Sequence, residues 1–137
     1  MTIQAQLVRN QPAPFGSLAQ LSDGRHAWLA DVPTDLGGGD LGADPHDLLD
    51  SALAGCTLLT LELYIRRKQL AVSALRVQIE HEETKAADGR VRYQLRRQLH
   101  IEGELSAEER QRLLEIANKC PIHRVLTGEI SVGTSLA

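Results

Sequence analysis

The segment LLDSALAGCTLLTLELYI, residues 48–65, decides the fold because its apolar residues cover nearly the whole circumference of a helix. A helix of this kind has to be covered on several sides. Asp44, Pro45 and Asp47 precede it and supply an N-cap oxygen, a proline for the first helical position and a carboxylate for the first turn. The sequence therefore predicts a long central helix that ends near Lys68 and carries Cys56 near its middle.

Alternating segments lie on both sides of this helix. Residues 3–7 alternate between apolar and polar side chains, and residues 26–30 form a second apolar run after a turn, which fits two or three strands. Residues 75–83 and 91–101 alternate with period two around a turn at Asp88-Gly89. These patterns predict N-terminal strands before the helix and a β-hairpin after it.

The C-terminal part begins with Ser106 and Glu109, which form a capping box and predict a second helix ending near Lys119. Cys120 precedes Pro121 and is expected at the N-cap of a further helical turn, and residues 129–133 fit a closing strand. The predicted order β-β-β-α-β-β-α-β indicates an α+β fold in one domain, residues 1–137. Because only 3% of the residues are aromatic, the chain has limited means to wrap its central helix, and a partner subunit is expected.

Composition excludes several classes of protein. The 15 Lys and Arg residues are scattered among 18 acidic residues and form no basic stripe, so no nucleic-acid partner is expected. Asp50 and Glu62 interrupt the apolar helix, so no membrane span is expected. The N-terminus lacks the basic and apolar regions of a signal peptide, and two cysteines are too few for a secreted disulfide framework. A cytoplasmic protein is predicted.

The two cysteines are the main candidates for chemistry. At the N-cap, the sulfur of Cys120 would lie near unpaired backbone N–H groups, which favours a thiolate. Cys56 lies about three turns into its helix and needs a cation from elsewhere in the fold. Either cysteine alone is also consistent with an inert buried side chain. Gly55, beside Cys56, indicates a packing or access requirement, and close approach of another element to the sulfur is one such requirement.

Three segments together resemble one family. GGGDLGADPHDLLDSALAGC (residues 37–56), TLLT (57–60) and CPIHRVL (120–126) are similar in order and spacing to the OsmC/Ohr family of thiol-dependent peroxidases, named for osmotically inducible and organic hydroperoxide resistance proteins. The resemblance covers nearly the whole chain. It implies an OsmC-like fold, in which antiparallel sheets surround a long central helix and two chains form an intertwined homodimer.

The resemblance also implies an activity without a cofactor or metal. Cys56 would attack the terminal oxygen of an organic hydroperoxide and become a sulfenic acid, and Cys120 would condense with it to a disulfide that an external dithiol reduces. An apolar surround suits an alkyl or lipid hydroperoxide. Such an enzyme would act as an antioxidant in the response to oxidative stress.

The peroxidases of this family flank the reactive thiolate with an arginine from the N-terminal strands and a glutamate at the start of the central helix. The arginine position falls near Phe15 and the glutamate position on His46. Another branch of the family has its acidic residue at the place of Asp47. His46 and Asp47 are therefore candidate site residues, and the candidates for the cation are Arg9, Arg25, His46 and a residue of a second subunit.

Three alternatives remain open from the sequence. An OsmC-like redox protein could have a function other than peroxide reduction. A metal-binding module would use Cys56, Cys120 and His123, with or without His46. A cysteine hydrolase would use Cys56 with a histidine as base.

Overall fold

The computed structural model describes all 137 residues and has the predicted α+β class. The elements, in chain order, are β1 (Gln4–Leu7), β2 (Ala19–Ser22), β3 (Ala27–Ala30), a short 3₁₀ turn (Thr34–Leu36), α1 (Pro45–Lys68), β4 (Val72–Lys85), β5 (Val91–Gly103), α2 (Ala107–Ala117) and α3 (Pro121–Thr127). The chain divides into two compact units, Met1–Leu49 and Asp50–Ala137. That all residues form one domain stays a prediction.

The first unit contains an antiparallel sheet in the order β1-β2-β3 and the glycine-rich loop that follows it. Asp31, which is 2% exposed, holds this loop. Its carboxylate accepts hydrogen bonds from the hydroxyl of Ser17 and from the backbone N–H groups of Val32 and Leu41. The bond from Ser17, followed by those from the backbone, holds the pKa of Asp31 below its usual value against the opposing effect of burial.

Helix α1 begins and ends where the sequence predicts. Its first turn starts at Pro45, and the Asp44 carboxylate accepts a hydrogen bond of 2.8 Å from the backbone N–H of His46. Basic residues in its last turn, at positions 66–68, complement the helix dipole. Leu53, Thr57, Leu61 and Ile65 are buried at a spacing of four residues, which places them in one stripe. On another side, Leu59 and Leu63 are each 68% exposed.

The second unit is built around the hairpin of β4 and β5, which pair from Lys85↔Val91 at the turn to Val72↔Gly103 at the open end. The core packs side chains of α1 and α2 against the inward side of this hairpin. Its buried members are Leu61, Ile65, Leu113, Ile116 and Ala117. Burying a leucine such as Leu61 stabilises the fold by roughly 1.5–3 kcal/mol. The capping box of Ser106 and Glu109 is present at the start of α2, as predicted.

The predicted closing strand at residues 129–133 is wrong. The residues after α3 form no strand, and Ile130 and Val132 are 61% and 87% exposed. An alternating segment becomes a strand only when the edge of another strand pairs with it, and no strand of either sheet pairs with these residues. The last two elements are therefore helices.

Helix α1 has the length and composition of a segment that could cross a membrane, and 22% of its most apolar window is buried. This is weak evidence, because the core helix of a soluble protein passes the same test. Leu59 and Leu63 of α1 are not covered by other residues of this chain.

Replacing Asp31 by Asn should lower the urea midpoint of the first unit at neutral pH, because the carboxylate holds the loop through several hydrogen bonds. Since the folded pKa lies below the unfolded value of roughly 4, this stabilisation is present above the unfolded pKa and lost as the pH falls through the folded one. The fluorescence of Trp28, the single tryptophan, reports the transition. The control, Asp35→Asn, changes an exposed carboxylate. A difference from wild type that stays constant down to acid pH would contradict the role of Asp31.

Candidate active site

The structure brings the two cysteines together, although they lie far apart in the sequence. Cys56 is part-buried on α1, next to the buried stripe, whereas Cys120 is fully buried where α2 gives way to α3. No disulfide links them. The thiol of Cys56 is within hydrogen-bonding contact of the sulfur of Cys120. Two reduced sulfurs in contact are the minimum arrangement for forming a disulfide.

Cys120 occupies the N-cap of α3, as predicted, and Pro121 follows at the first helical position. Its sulfur accepts a hydrogen bond of 3.2 Å from the backbone N–H of His123. Burial raises the pKa of Cys120, but this N–H, the Cys56 thiol, the Thr57 hydroxyl and the positive charge of Arg97 together bring the pKa below its ordinary value. The structure therefore favours a thiolate at Cys120.

Thr57 connects the cysteines to the hairpin. Its hydroxyl has a single hydrogen, which it donates either to the carbonyl of Leu53, 2.7 Å away, or to the sulfur of Cys120. The same oxygen accepts a hydrogen bond of 3.0 Å from Nη1 of Arg97. Because Thr57 is completely buried, its hydroxyl oxygen is shielded from solvent.

Arg97 on β5 is a functional candidate that the sequence reasoning missed. Besides its bond to Thr57, its Nη2 donates to Oδ1 of Asn118 at 2.7 Å and to Nδ1 of His123 at 3.2 Å. A guanidinium can only donate hydrogen bonds, so Nδ1 of His123 is the acceptor in this contact. All three acceptors of Arg97 are uncharged.

A signal for Arg97 was present in the strand pattern. Tyr93, Leu95 and Leu99 alternate on the partly buried side of β5, and Arg97 occupies the same side of the strand. Its neighbour Arg96 faces the other way, is 55% exposed and pairs with Glu80 and Glu82. An arginine in the apolar series of a strand is unusual enough to mark a buried polar site.

Arg97 and His123 also line a cavity of about 470 Å³ in the second unit. Its apolar part is formed by five leucine side chains from α1, β5, α2 and α3, at positions 53, 95, 99, 114 and 126. Tyr93 and Asn118 add polar groups to the lining. The cavity therefore combines an apolar wall with two side chains that also interact with Thr57 or Cys120.

The remaining predicted site residues lie in the first unit. His46 and Asp47 are exposed in the first turn of α1, and the His46 ring is 2.9 Å from the Asp44 carboxylate. Arg9 follows β1 and Arg25 lies between β2 and β3, and both are exposed. A role of these four residues at Cys56 stays a prediction.

Two details of the sequence interpretation change. A side chain at Gly55 would meet no atom within 4 Å, so no element of this chain approaches Gly55 itself. The surface of α1 is open at that point. Cys56, Cys120 and His123 form no group that could hold a metal ion, and Nδ1 of His123 already accepts from Arg97. Nothing in this geometry supports the metal-binding alternative.

Solved structures with this architecture are numerous and distant in sequence. An OsmC-like protein from Mycoplasma pneumoniae has a TM-score of 0.77 at 21% identity, over 93% of this chain and 86% of its own. An organic hydroperoxide resistance protein from Elizabethkingia anophelis has a TM-score of 0.69 at 22% identity, over 93% and 89%. OhrB of Bacillus subtilis, also an organic hydroperoxide resistance protein, has a TM-score of 0.66 at 18% identity, over 93% of this chain and 92% of its own. At these identities, the similarity establishes the fold.

No curated protein matches the sequence significantly. The family model described as OsmC-like protein matches residues 37–135, which include α1, the hairpin and both cysteines. This range is most of the chain, and it contains the segments on which the resemblance rested. The protein belongs to the OsmC-like protein family.

Proposed function

We propose that this protein is a cysteine-based peroxidase that reduces organic hydroperoxides to alcohols. Membership of the OsmC-like family and the fold shared with organic hydroperoxide resistance proteins support a general role in redox chemistry and peroxide resistance. The observation that carries the specific proposal is the contact between two reduced cysteines, one of which has a lowered pKa.

The difference in burial assigns the first step to Cys56. Cys120 is fully buried, whereas Cys56 is partly accessible and is the sulfur that a peroxide would reach. The thiolate of Cys120 takes the proton of the Cys56 thiol, with which it is hydrogen-bonded. Cys56 thereby becomes the nucleophile, and Cys120 acts as its base.

The Cys56 thiolate then attacks the terminal oxygen of the hydroperoxide. A sulfur–oxygen bond forms, the oxygen–oxygen bond breaks, and the alkoxide takes the proton that Cys120 had accepted and leaves as the alcohol. Cys120, again as a thiolate, attacks the sulfenic sulfur of Cys56, and water leaves as the disulfide forms. One hydroperoxide and two thiols thus give one alcohol, one water and one disulfide, which an external dithiol reduces.

The cavity beside Arg97 favours an organic substrate. Its leucine side chains would cover an alkyl or acyl chain, and their burial by the substrate would release water from apolar surface. Hydrogen peroxide has no such group and would gain nothing from these walls. Alkyl and lipid hydroperoxides are therefore the proposed substrate class.

A second copy of the chain is the proposed cover for the exposed side of α1. Leu59 and Leu63 lie one turn apart on the same side, and exposed apolar patches of this kind mark interfaces. A homodimer in the cytoplasm, with no membrane or nucleic-acid partner, satisfies this requirement. A reducing compartment also supplies the dithiol that the reaction cycle needs.

Reduced wild-type protein should lose both thiols when treated with cumene hydroperoxide and form an intramolecular disulfide, visible as the loss of two hydrogen atoms in the intact mass. Cys120→Ser should stop at a sulfenic acid on Cys56, which dimedone traps. Cys56→Ser is the control and should not react at the wild-type rate. Unchanged thiols in the wild type after excess peroxide would exclude the proposed function and favour another redox role.

The hydrogen bond between the cysteines predicts a difference between two variants at one position. Cys56→Ser keeps a donor toward Cys120, so the lowered pKa of Cys120 is retained and its thiolate forms at a lower pH than that of an ordinary thiol. Cys56→Ala removes the donor, so the pKa of Cys120 rises. The ultraviolet absorbance of the thiolate, followed against pH, measures both. Identical titrations of the two variants would show that Cys56 does not stabilise the anion.

The dimer proposal predicts that Leu59→Glu or Leu63→Glu converts a dimer into a monomer in light scattering. Each leucine withdrawn from the interface costs roughly 1.5–3 kcal/mol, or about 10- to 150-fold in the dissociation constant. Leu63→Met keeps an apolar side chain and should remain dimeric. A monomeric wild type, or wild type that binds to lipid vesicles, would argue against a second copy as the cover.

A further inference from the structure

Two adjacent arginines on β5 have opposite electrostatic situations. Arg96 is exposed, and its charge is balanced by the carboxylates of Glu80 and Glu82. Arg97 is part-buried, and the acceptors of its hydrogen bonds are a hydroxyl, an amide oxygen and a neutral imidazole nitrogen. These groups satisfy its N–H donors without cancelling its charge. A partly desolvated guanidinium held in this way is strongly attractive to an anion.

Two of the three groups that hold Arg97 also contact Cys120. The backbone N–H of His123 donates to the Cys120 sulfur, and the Thr57 hydroxyl lies within hydrogen-bonding contact of it. Within this cluster, only the two cysteines can become anions at neutral pH. The uncompensated positive charge therefore has one partner inside the protein, which is the thiolate of the cysteine pair.

From this juxtaposition, we propose that Arg97 is the cation that activates the cysteine pair, a role for which the sequence offered Arg9 and Arg25 among other candidates. Thr57, Asn118 and His123 are the positioning residues, because they act by fixing the guanidinium. The inference rests on the proposed peroxidase function for its catalytic meaning. It places the source of the charge on the hairpin of the second unit and not on the N-terminal strands.

The position of Arg97 suits both charged stages of the reaction. In the reduced protein it stabilises the thiolate that Cys56 and Cys120 share. During attack on the hydroperoxide, negative charge moves from sulfur to the departing alkoxide oxygen. Because Arg97 also lines the cavity proposed for the substrate, the same guanidinium faces that developing charge. Because the guanidinium is already fixed in place, it stabilises this negative charge without having to move during the reaction.

Arg97→Met tests the assignment, with Arg96→Met as the matched control on the same strand. We expect the thiolate absorbance of reduced Arg97→Met to appear at a higher pH than in wild type, with a severalfold lower thiolate fraction at neutral pH. Arg97→Lys should recover part of the loss, since it restores a charge but not the planar set of donors. Arg96→Met should titrate as wild type. An unshifted Arg97→Met, or an equal shift in both methionine variants, would overturn the proposal.

Asn118→Asp gives an independent test in a variant that leaves Arg97 in place. Asn118 is exposed, so the substitution spares the core, and the new carboxylate would still accept from Nη2 while neutralising the guanidinium. We expect its thiolate to form at a higher pH than that of wild type. A thiolate titration in Asn118→Asp that matches wild type would contradict the role of Arg97, even if Arg97→Met fails to fold.

These titrations use no peroxide, so they separate the two proposals. A wild type that does not consume cumene hydroperoxide would defeat the proposed function and leave the cation assignment to be judged by the titrations. Conversely, a wild type that reacts with peroxide while Arg97→Met keeps the wild-type thiolate titration and peroxide rate would sustain the peroxidase and remove Arg97 from its mechanism.

Discussion

The packing of α1 along one buried stripe is the constraint on which the rest of the second unit depends. Leu61 and Ile65 anchor the C-terminal half of this stripe in the core with α2 and the hairpin. The same stripe carries Thr57, one residue after Cys56, into contact with Arg97 of β5. A rotation of α1 that exposed the stripe would separate Cys56 from Cys120, and Arg97 would lose Thr57 as an acceptor. Core packing and the geometry of the cysteine pair are therefore determined together.

In the polar cluster around Arg97, the hydrogen bonds of the guanidinium have acceptors, but its positive charge is not balanced by a carboxylate. Bringing a guanidinium out of water costs several kcal/mol unless it is well bonded, and here acceptors from α1, the end of α2 and α3 provide the bonds. A carboxylate in the same place would have balanced the charge and weakened the pull on a thiolate. Neutral acceptors hold Arg97 in place without cancelling its positive charge, which can therefore act on the sulfur.

Family membership and site chemistry rest on different observations. The family model and the shared architecture establish an OsmC-like protein, but relatives at about one-fifth identity do not transfer a mechanism. The mechanism is argued from residues of this chain: two sulfurs in contact, one of them fully buried, beside a cation and an apolar cavity. The same residues offer no set of metal ligands. A cysteine hydrolase would need a histidine base at Cys56, whereas His123 contacts Cys120 through its backbone and Arg97 through its ring.

The sequence by itself determined the local elements: the start of α1 at Pro45, the period-two hairpin, the capping box of α2 and the N-cap position of Cys120. These features depend on neighbours within a few residues, which is why pattern and capping chemistry predict them. Residues 129–133 show the limit of local patterns, since these residues alternate in polarity but have no partner strand. Only the tertiary structure decided that Cys56 meets Cys120 and that Arg97 reaches both α1 and α3. The hydrogen bonds of Arg97 join residues that are 21 to 40 positions apart in the sequence. No local preference specifies which face of a strand meets which turn of a helix.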